Sequence, residues 1–257
     1  MKTWQLFENF NLAELNANFA ELLVSVNGAK ATYLTANKTV YVATTGNDTT
    51  GDGTSGKPYK TITKGLSAIP KNLNGFDATL YIAGGTYAEN VTIKGFQGGI
   101  LSIMLQGNVV LSSFTVSTGQ FVLVSASTAT TLTITNTASV PIIIKEASKI
   151  RFASTVDLVV NAAIANYGIA CLSCSILNMD GTATINNAGW AIHAKTNSNV
   201  FAKTLAGTGN VIGIQAEDGS TISYGTKTIS ANKEKVLSGG SIITNDLLSN
   251  TATQWNE

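Results

Sequence analysis

Tyr167-Gly168-Ile169-Ala170-Cys171, Trp190-Ala191-Ile192-His193-Ala194 and Ile212-Gly213-Ile214-Gln215-Ala216 are three versions of one phrase. Their central isoleucines lie 192 − 169 = 23 and 214 − 192 = 22 residues apart, and Val236 follows after 236 − 214 = 22. A second apolar position recurs as Ile176, Val200, Ile222 and Ile242. A third recurs in Thr182-Ala183-Thr184-Ile185, Ala202-Lys203-Thr204-Leu205 and Thr226-Lys227-Thr228-Ile229. Three short strands in each coil of about 22 residues are the sequence form of a three-sided β-solenoid. The fixed Leu/Asn consensus of a leucine-rich repeat is absent. The fold class expected is therefore all-β, a right-handed parallel β-helix.

The same phrases assign faces, because side chains alternate along a strand. Ile169, Ile192 and Ile214 are expected to point inward, with Tyr167, Trp190 and Ile212 beside them and Cys171, Ala194 and Ala216 beyond. Ala170, His193 and Gln215 form the outward column. Upstream, Leu101-Ser102-Ile103-Met104-Leu105, Phe121-Val122-Leu123-Val124 and Pro141-Ile142-Ile143-Ile144 read as further strands between polar turns.

Composition agrees with this reading. Of the 257 residues, 44 % are hydrophobic and only 12 % charged, against roughly a quarter charged in an ordinary soluble domain. The solvent face is thus built from Thr, Ser, Asn and Gly, which suit extended chain and turns. The formal net charge is +1 and Arg151 is the sole arginine. That excludes an electrostatic footprint for nucleic acid. No apolar run reaches the roughly 18 residues of a membrane span, so no membrane insertion is expected.

Residues 38 to 99 are mixed. Val40 to Ala43, Thr79 to Ala83 and Val91 to Ile93 read as strands, the latter two around a Gly84-Gly85 turn. Thr61 to Ile69 reads as a short helix stopped by Pro70. Residues 4 to 26 are the one long helix, with Leu12, Leu15, Phe19, Leu22 and Val26 on an a/d seam. A seam of two heptads is too short to stand alone. Leu12, Leu15, Phe19 and Leu22 are therefore the expected trimerisation residues. Three segments result: a helical stem at 1–37, an opening and cap segment at 38–99, and coils with a C-terminal cap at 100–257.

Two stretches carry a resemblance. Phe10-Asn11-Leu12-Ala13-Glu14-Leu15-Asn16-Ala17-Asn18-Phe19-Ala20-Glu21-Leu22 resembles the short helices of phage tail and appendage proteins. Val42 to Ile69, with Gly46-Asn47-Asp48, Gly51-Asp52-Gly53-Thr54, Pro58 and Thr61-Ile62, resembles the opening segment of pectin-lyase-like β-helices. Together they span roughly the first 70 residues. The resemblance implies a tail-spike or tail-fibre homotrimer, assembled in the host cytoplasm and carried on the virion. It would dock on a tail or baseplate protein through its N-terminus and attach to a host surface glycan. It does not imply catalysis, since such folds host lyases, hydrolases and pure binders alike. A polysaccharide depolymerase on the same scaffold is the alternative.

Several motifs invite sharper readings. Gly51-Asp52-Gly53-Thr54-Ser55-Gly56 matches G-x-G-x-x-G, but Lys57-Pro58 follows where a dinucleotide fold needs a helix. No cofactor is expected, and the glycines read as a turn needing positive φ at several positions. Asn47, Asp48 and Asp52 offer oxygens to a cation, yet two carboxylates without a bidentate Glu make a poor calcium set. Cys171-Leu172-Ser173-Cys174 has His193 as its nearest other zinc ligand, on the opposite face, and reads as core thiols. Tyr167 and Trp190 read as core, and His193 as surface. Glu217-Asp218 is the one adjacent acidic pair within the coils. Glycoside hydrolysis needs two carboxylates about 5 to 10 Å apart, and neighbours on opposite phases are expected to diverge.

The stem reading makes a direct prediction. Light scattering of the full chain at micromolar concentration should give a trimer mass. Leu15→Asp with Phe19→Asp should lower it, because each change places an unpaired charge on the seam. A monomer mass for the unaltered chain would refute the seam.

Overall fold

The computed structural model describes residues 33–244. Residues 1–32 of the expected stem, with Leu12, Leu15, Phe19 and Leu22, lie outside the described residues, while Tyr33 bridges Asn72 and the buried Leu34 donates its N–H to Asn72 O at 2.9 Å. Within them the chain is a parallel β-solenoid of about seven turns with almost no helix. One ladder links Ala78, Leu101, Val122, Ile150, Leu177, Val200, Ile222 and Ile243, each the register partner of the next. Another links Val109, Leu132, Leu158, Ala183 and Leu205. A further ladder links Val91, Phe114, Ile142, Ile169, Ile192 and Ile214. All these side chains are buried except Ile243, which is partly so. Aliphatic and β-branched residues fit the pleated surface, and they stack like on like at strand spacing through the interior.

The isoleucine column stands as expected, and so does the outward column Ala170, His193, Gln215. Three other details differ. The last coil pairs Lys235 with Ile214, and Val236 stands beside Gln215. The strand Asn199–Ala216 is bulged between Gly207 and Asn210, so its offset to the next coil falls from 229 − 207 = 22 to 231 − 210 = 21. The second column runs through Leu177 and Ile243, with Ile176 opposite Asn199 and Ile242 opposite Thr221. The third phrases slip by two, Thr182 facing Thr204 and Thr226 in turn. A slip of two leaves every side chain on its expected face.

Tyr167 and Trp190 are the larger correction. Neither joins the core, and both are half-buried. Alternation breaks just after them: Gly168 and Ile169 are both buried, as are Ala191 and Ile192. A Cβ on Gly168 would lie 2.5 Å from Ile185 and 2.9 Å from the Ala191 carbonyl oxygen, so this position faces inward at a bend. Two successive inward residues shift the phase by one and turn the preceding aromatics out.

The turns repeat as strictly as the strands. Glu146-Ala147, Ser173-Cys174, Thr196-Asn197 and Asp218-Gly219 are consecutive left-handed pairs, with φ between 52° and 77°. After each comes a fully buried serine: Ser148, Ser175, Ser198 and Ser220. The amide of Ser148 donates to Ser175 Oγ at 3.2 Å, that of Ser175 to Ser198 Oγ at 3.2 Å and that of Ser198 to Ser220 Oγ at 3.0 Å. Gln120 precedes them, its amide donating to Ser148 Oγ at 3.3 Å while its own Oε1 accepts Phe96 N–H at 2.7 Å.

Stacking begins before residue 100, since Lys38–Val42 and Ala78–Lys94 are already paired coils. The second is one continuous strand, with a register shift where the Gly84-Gly85 turn is expected. The glycine-rich loop covers the outer edge of Lys38–Val42. Tyr41 N–H donates to Gly53 O at 2.8 Å, Tyr59 N–H to Tyr41 O at 3.0 Å, and Ala43 N–H to Tyr59 O at 2.9 Å. An uncovered edge would template pairing with another chain. In the G-x-G-x-x-G stretch only Gly53 has positive φ, at 80°. Gly51 is required for closeness instead, as a Cβ there would meet Asn47 O at 2.3 Å. The short helix Ile62–Ser67 follows, capped by Thr61 and by Glu89, whose carboxylate accepts the Ile62 and Thr63 amides.

Two substitutions test the turn. Ser198→Ala leaves the buried Ser175 amide without its acceptor, and denaturant unfolding should show a loss of about 1–3 kcal/mol. Cys174 is exposed with φ 60°. Cys174→Gly removes a left-handed penalty of about 1–2 kcal/mol and adds roughly 0.5–1 kcal/mol of chain entropy, so it should be neutral to stabilising.

Candidate functional site

The outward phase at Tyr167 and Trp190 creates a ledge across three coils, formed by the strands Tyr167–Leu172 and Trp190–Lys195 and the end of Asn199–Ala216. The Tyr167 and Trp190 rings lie 4.9 Å apart and tilted by 45°. Tyr167 also stacks on His193, with centroids 4.6 Å apart and planes 21° from parallel. Ile212 is the next member of the row, in register with Trp190.

A polar row runs beside the aromatic one. Trp190 Nε1–H donates to Gln215 Oε1, and Gln215 Nε2–H donates to Glu217 Oε1. Glu217 Oε2 lies 3.3 Å from Lys195 Nζ and 3.4 Å from His193 Nε2. Lys195 Nζ is also 3.9 Å from Asp218. The register places Lys195 directly across from Glu217, because Ala194 faces Ala216. Glu217 and Asp218 thus turn toward one ammonium, where neighbours on opposite phases are expected to diverge.

Burial is the chief influence on Glu217 and raises its pKa. Lys195, His193 and Gln215 together outweigh it, and the carboxyl ends below its ordinary range. Lys195 is raised, chiefly by Glu217. His193 faces outward yet is only 5 % exposed, and neither ring nitrogen has hydrogen-bond geometry to a partner. The 3.4 Å approach to Glu217 is therefore electrostatic. Burial lowers the His193 pKa, and the pull of Glu217 offsets only part of that. His193 accordingly differs from the surface histidine expected: it is a neutral ring packed between Tyr167 and Glu217.

The other candidates are engaged elsewhere. Asp48 accepts the Lys60 and Thr61 amides and the Thr61 hydroxyl, and Asp52 accepts the amide and hydroxyl of Thr54. Asn47 Oδ1 accepts the Thr49 and Thr50 amides. These side chains act as turn caps. Among the described residues no three His, Cys, Asp or Glu side chains group as a metal site. Cys171 points into the core, and burial pushes its thiol up to about 12. Cys174 is exposed on the turn. Asp180 is held by Arg151 at 2.7 Å, and Glu146 by Lys145 at 3.1 Å.

Sequence reasoning placed His193 and Gln215 in one outward column and singled out Glu217 and Asp218. It missed that Lys195 joins them and that the aromatics share their face. A small residue just before the column isoleucine in both coils, Gly168 before Ile169 and Ala191 before Ile192, was the available sign of a bend. No protein-family model matches the chain, and no curated protein or solved structure is significantly similar to it.

His193 is the sole histidine of the chain, so its titration can be read without assignment. Its folded pKa lies below the ordinary 6.5, so the unfolded chain takes up the proton first as pH falls. The burial of the neutral ring therefore favours folding fully above pH 6.5 and progressively less below it. Proton NMR of the imidazole should give a midpoint below 6.5, and His193→Gln should flatten stability between about pH 7 and 5. A midpoint above 6.5 would contradict this packing.

Proposed function

We propose that this chain is the glycan-attaching part of a virion appendage of the tail-spike or tail-fibre type, and that it binds without cutting. The coils wind right-handed with three strand faces. A helical stem ahead of Tyr33, the residue that already bridges Asn72 in the solenoid, joins three copies and meets a tail or baseplate protein. The observation that carries attachment is the outward Tyr167–Trp190 pair beside a row of hydrogen-bonding side chains. Aromatic faces take the C–H face of a sugar, since the electron-rich ring attracts the slightly positive hydrogens. The likeness of residues 10–22 to phage appendage helices supports the virion setting.

The electrostatics of Glu217 support binding over cleavage. A glycosidase acid must hold a proton at working pH, which requires a raised pKa. Glu217 is shifted the other way by Lys195 and its neighbours. Each hydrogen bond to a sugar contributes only about 1 kcal/mol net, so three copies on one particle would add avidity.

Fluorescently labelled full-length protein tests this reading on a panel of bacterial strains. It should decorate a susceptible strain, be displaced by that strain's isolated surface polysaccharide, and leave the polysaccharide chain length unchanged. Absence of decoration on every strain would overturn attachment. Shortened polysaccharide, lost in a Glu217→Gln variant, would establish the depolymerase instead.

A further inference from the structure

We propose that the Tyr167–Trp190 ledge takes an uncharged pyranose ring, and that the Lys195–Glu217–Asp218 cluster beside it sets the site against acidic sugars. This rests on the glycan-attachment reading and names its ligand class.

Three features of the ledge point this way. First, Trp190 is held in place: its only polar atom is bonded to Gln215, which is itself bonded to Glu217. The indole thus keeps its plane without a ligand, and what it offers is an apolar face. A preoriented ring loses little side-chain freedom on binding. Second, the member of the row next to Trp190 is Ile212, so the rings are flanked by an apolar side chain, and the first cation of the row, the exposed Lys233, stands one coil further on. Third, Lys195, the cation of the polar row, is shared by two carboxylates at 3.3 and 3.9 Å. An incoming uronate or sialate carboxylate would have to compete with both, and Glu217 and Asp218 would repel it. Acidic sugars are usually held by an unpaired Arg or Lys fork, and here the Lys195 charge is already matched. His193 adds no positive charge at neutral pH because its ring is buried and neutral. Hydroxyls of a neutral sugar suffer no such conflict, because they both donate and accept. The half-exposed Lys195 and exposed Asp218 offer them partners on either side.

Gln215 is a positioning residue in this account. It touches no sugar, but fixes the Trp190 plane and ties it to Glu217.

Isothermal titration of the full-length protein separates the outcomes. The probes are oligosaccharides of a neutral glucan, galactan and mannan, each beside its uronic-acid counterpart. At least one neutral member should bind about tenfold or more tightly than its acidic partner. Trp190→Ala should weaken that binding by about tenfold, and Trp190→Phe, which keeps a ring, by clearly less. Glu217→Gln with Asp218→Asn frees Lys195 and should bring the acidic partner within about threefold of the neutral one. Gln215→Leu should weaken binding while Trp190 emission shifts, a response that loss of bulk stability alone would not produce in a chain that melts normally. An acidic probe bound as tightly by the unaltered protein, or neutral binding indifferent to Trp190→Ala, would overturn the inference. Decoration of cells that survives Trp190→Ala would sink the ledge and leave attachment standing. No decoration and no binding by any probe would sink both.

Discussion

The solenoid turns on one repeated hydrogen bond, from the backbone amide of a buried turn residue to the serine hydroxyl of the next coil. Ser148, Ser175, Ser198 and Ser220 carry it from coil to coil. Their amides face the interior, where an unpaired donor has no water to turn to. A serine is short enough to reach the amide above without pushing the coils beyond strand spacing. The preceding left-handed pair aims that amide inward and reverses the chain. At Glu146-Ala147 and Ser173-Cys174 it does so with no glycine at all, at about 1–2 kcal/mol for each such residue. The backbone bonds between turns, such as Ala147 N–H to Ser173 O at 2.9 Å, repeat the same step outside. Aliphatic columns are slippery along the strand direction, and these polar corners give them a register.

The ledge is a by-product of that geometry at a different corner. Where Gly168 and Ala191 turn inward, the rings one residue earlier have no core left to enter. They lie instead on the outer side, where Tyr167 stacks over His193, a ring sealed from solvent while facing it. Charge then assembles by register alone: Lys195 and Glu217 meet because their strands are one coil apart, and Asp218 joins because the left-handed turn starts there. A neutral imidazole and one ammonium set against two carboxylates leave the cluster a formal charge of 1 − 2 = −1 beside the two half-buried rings.

The interior columns were legible because Ile169, Ile192 and Ile214 recur within one residue of the same spacing, each at the centre of the same phrase. Phase information failed where the backbone stopped alternating. Tyr167 has the right parity for the core, and only the inward bend at Gly168 reverses it. Parity also says nothing of bulges, so Val236 looked like the heir of Ile214 while Lys235 holds that place. Ile176 and Leu177 are both apolar and adjacent, so spacing alone could not choose between them. The left-handed pairs from Glu146-Ala147 to Asp218-Gly219 are each followed by a serine, but a lone serine in a turn carries no signal until its coil neighbours are known. Asp48 and Asp52 show the reverse case: carboxylates that look available in sequence are occupied by amides two to thirteen residues away.

Coil length in this molecule varies while the columns stay aligned. From Leu101 to Val122 the step is 21 residues, and from Val122 to Ile150 it is 28, yet both pairs are direct register partners. Surplus residues leave the ladder at turns and bulges and rejoin it at the same level. A gene encoding such a chain can gain or lose residues within one coil, and its neighbours need no compensating change. Selection is then free to reshape one level of the outer surface at a time.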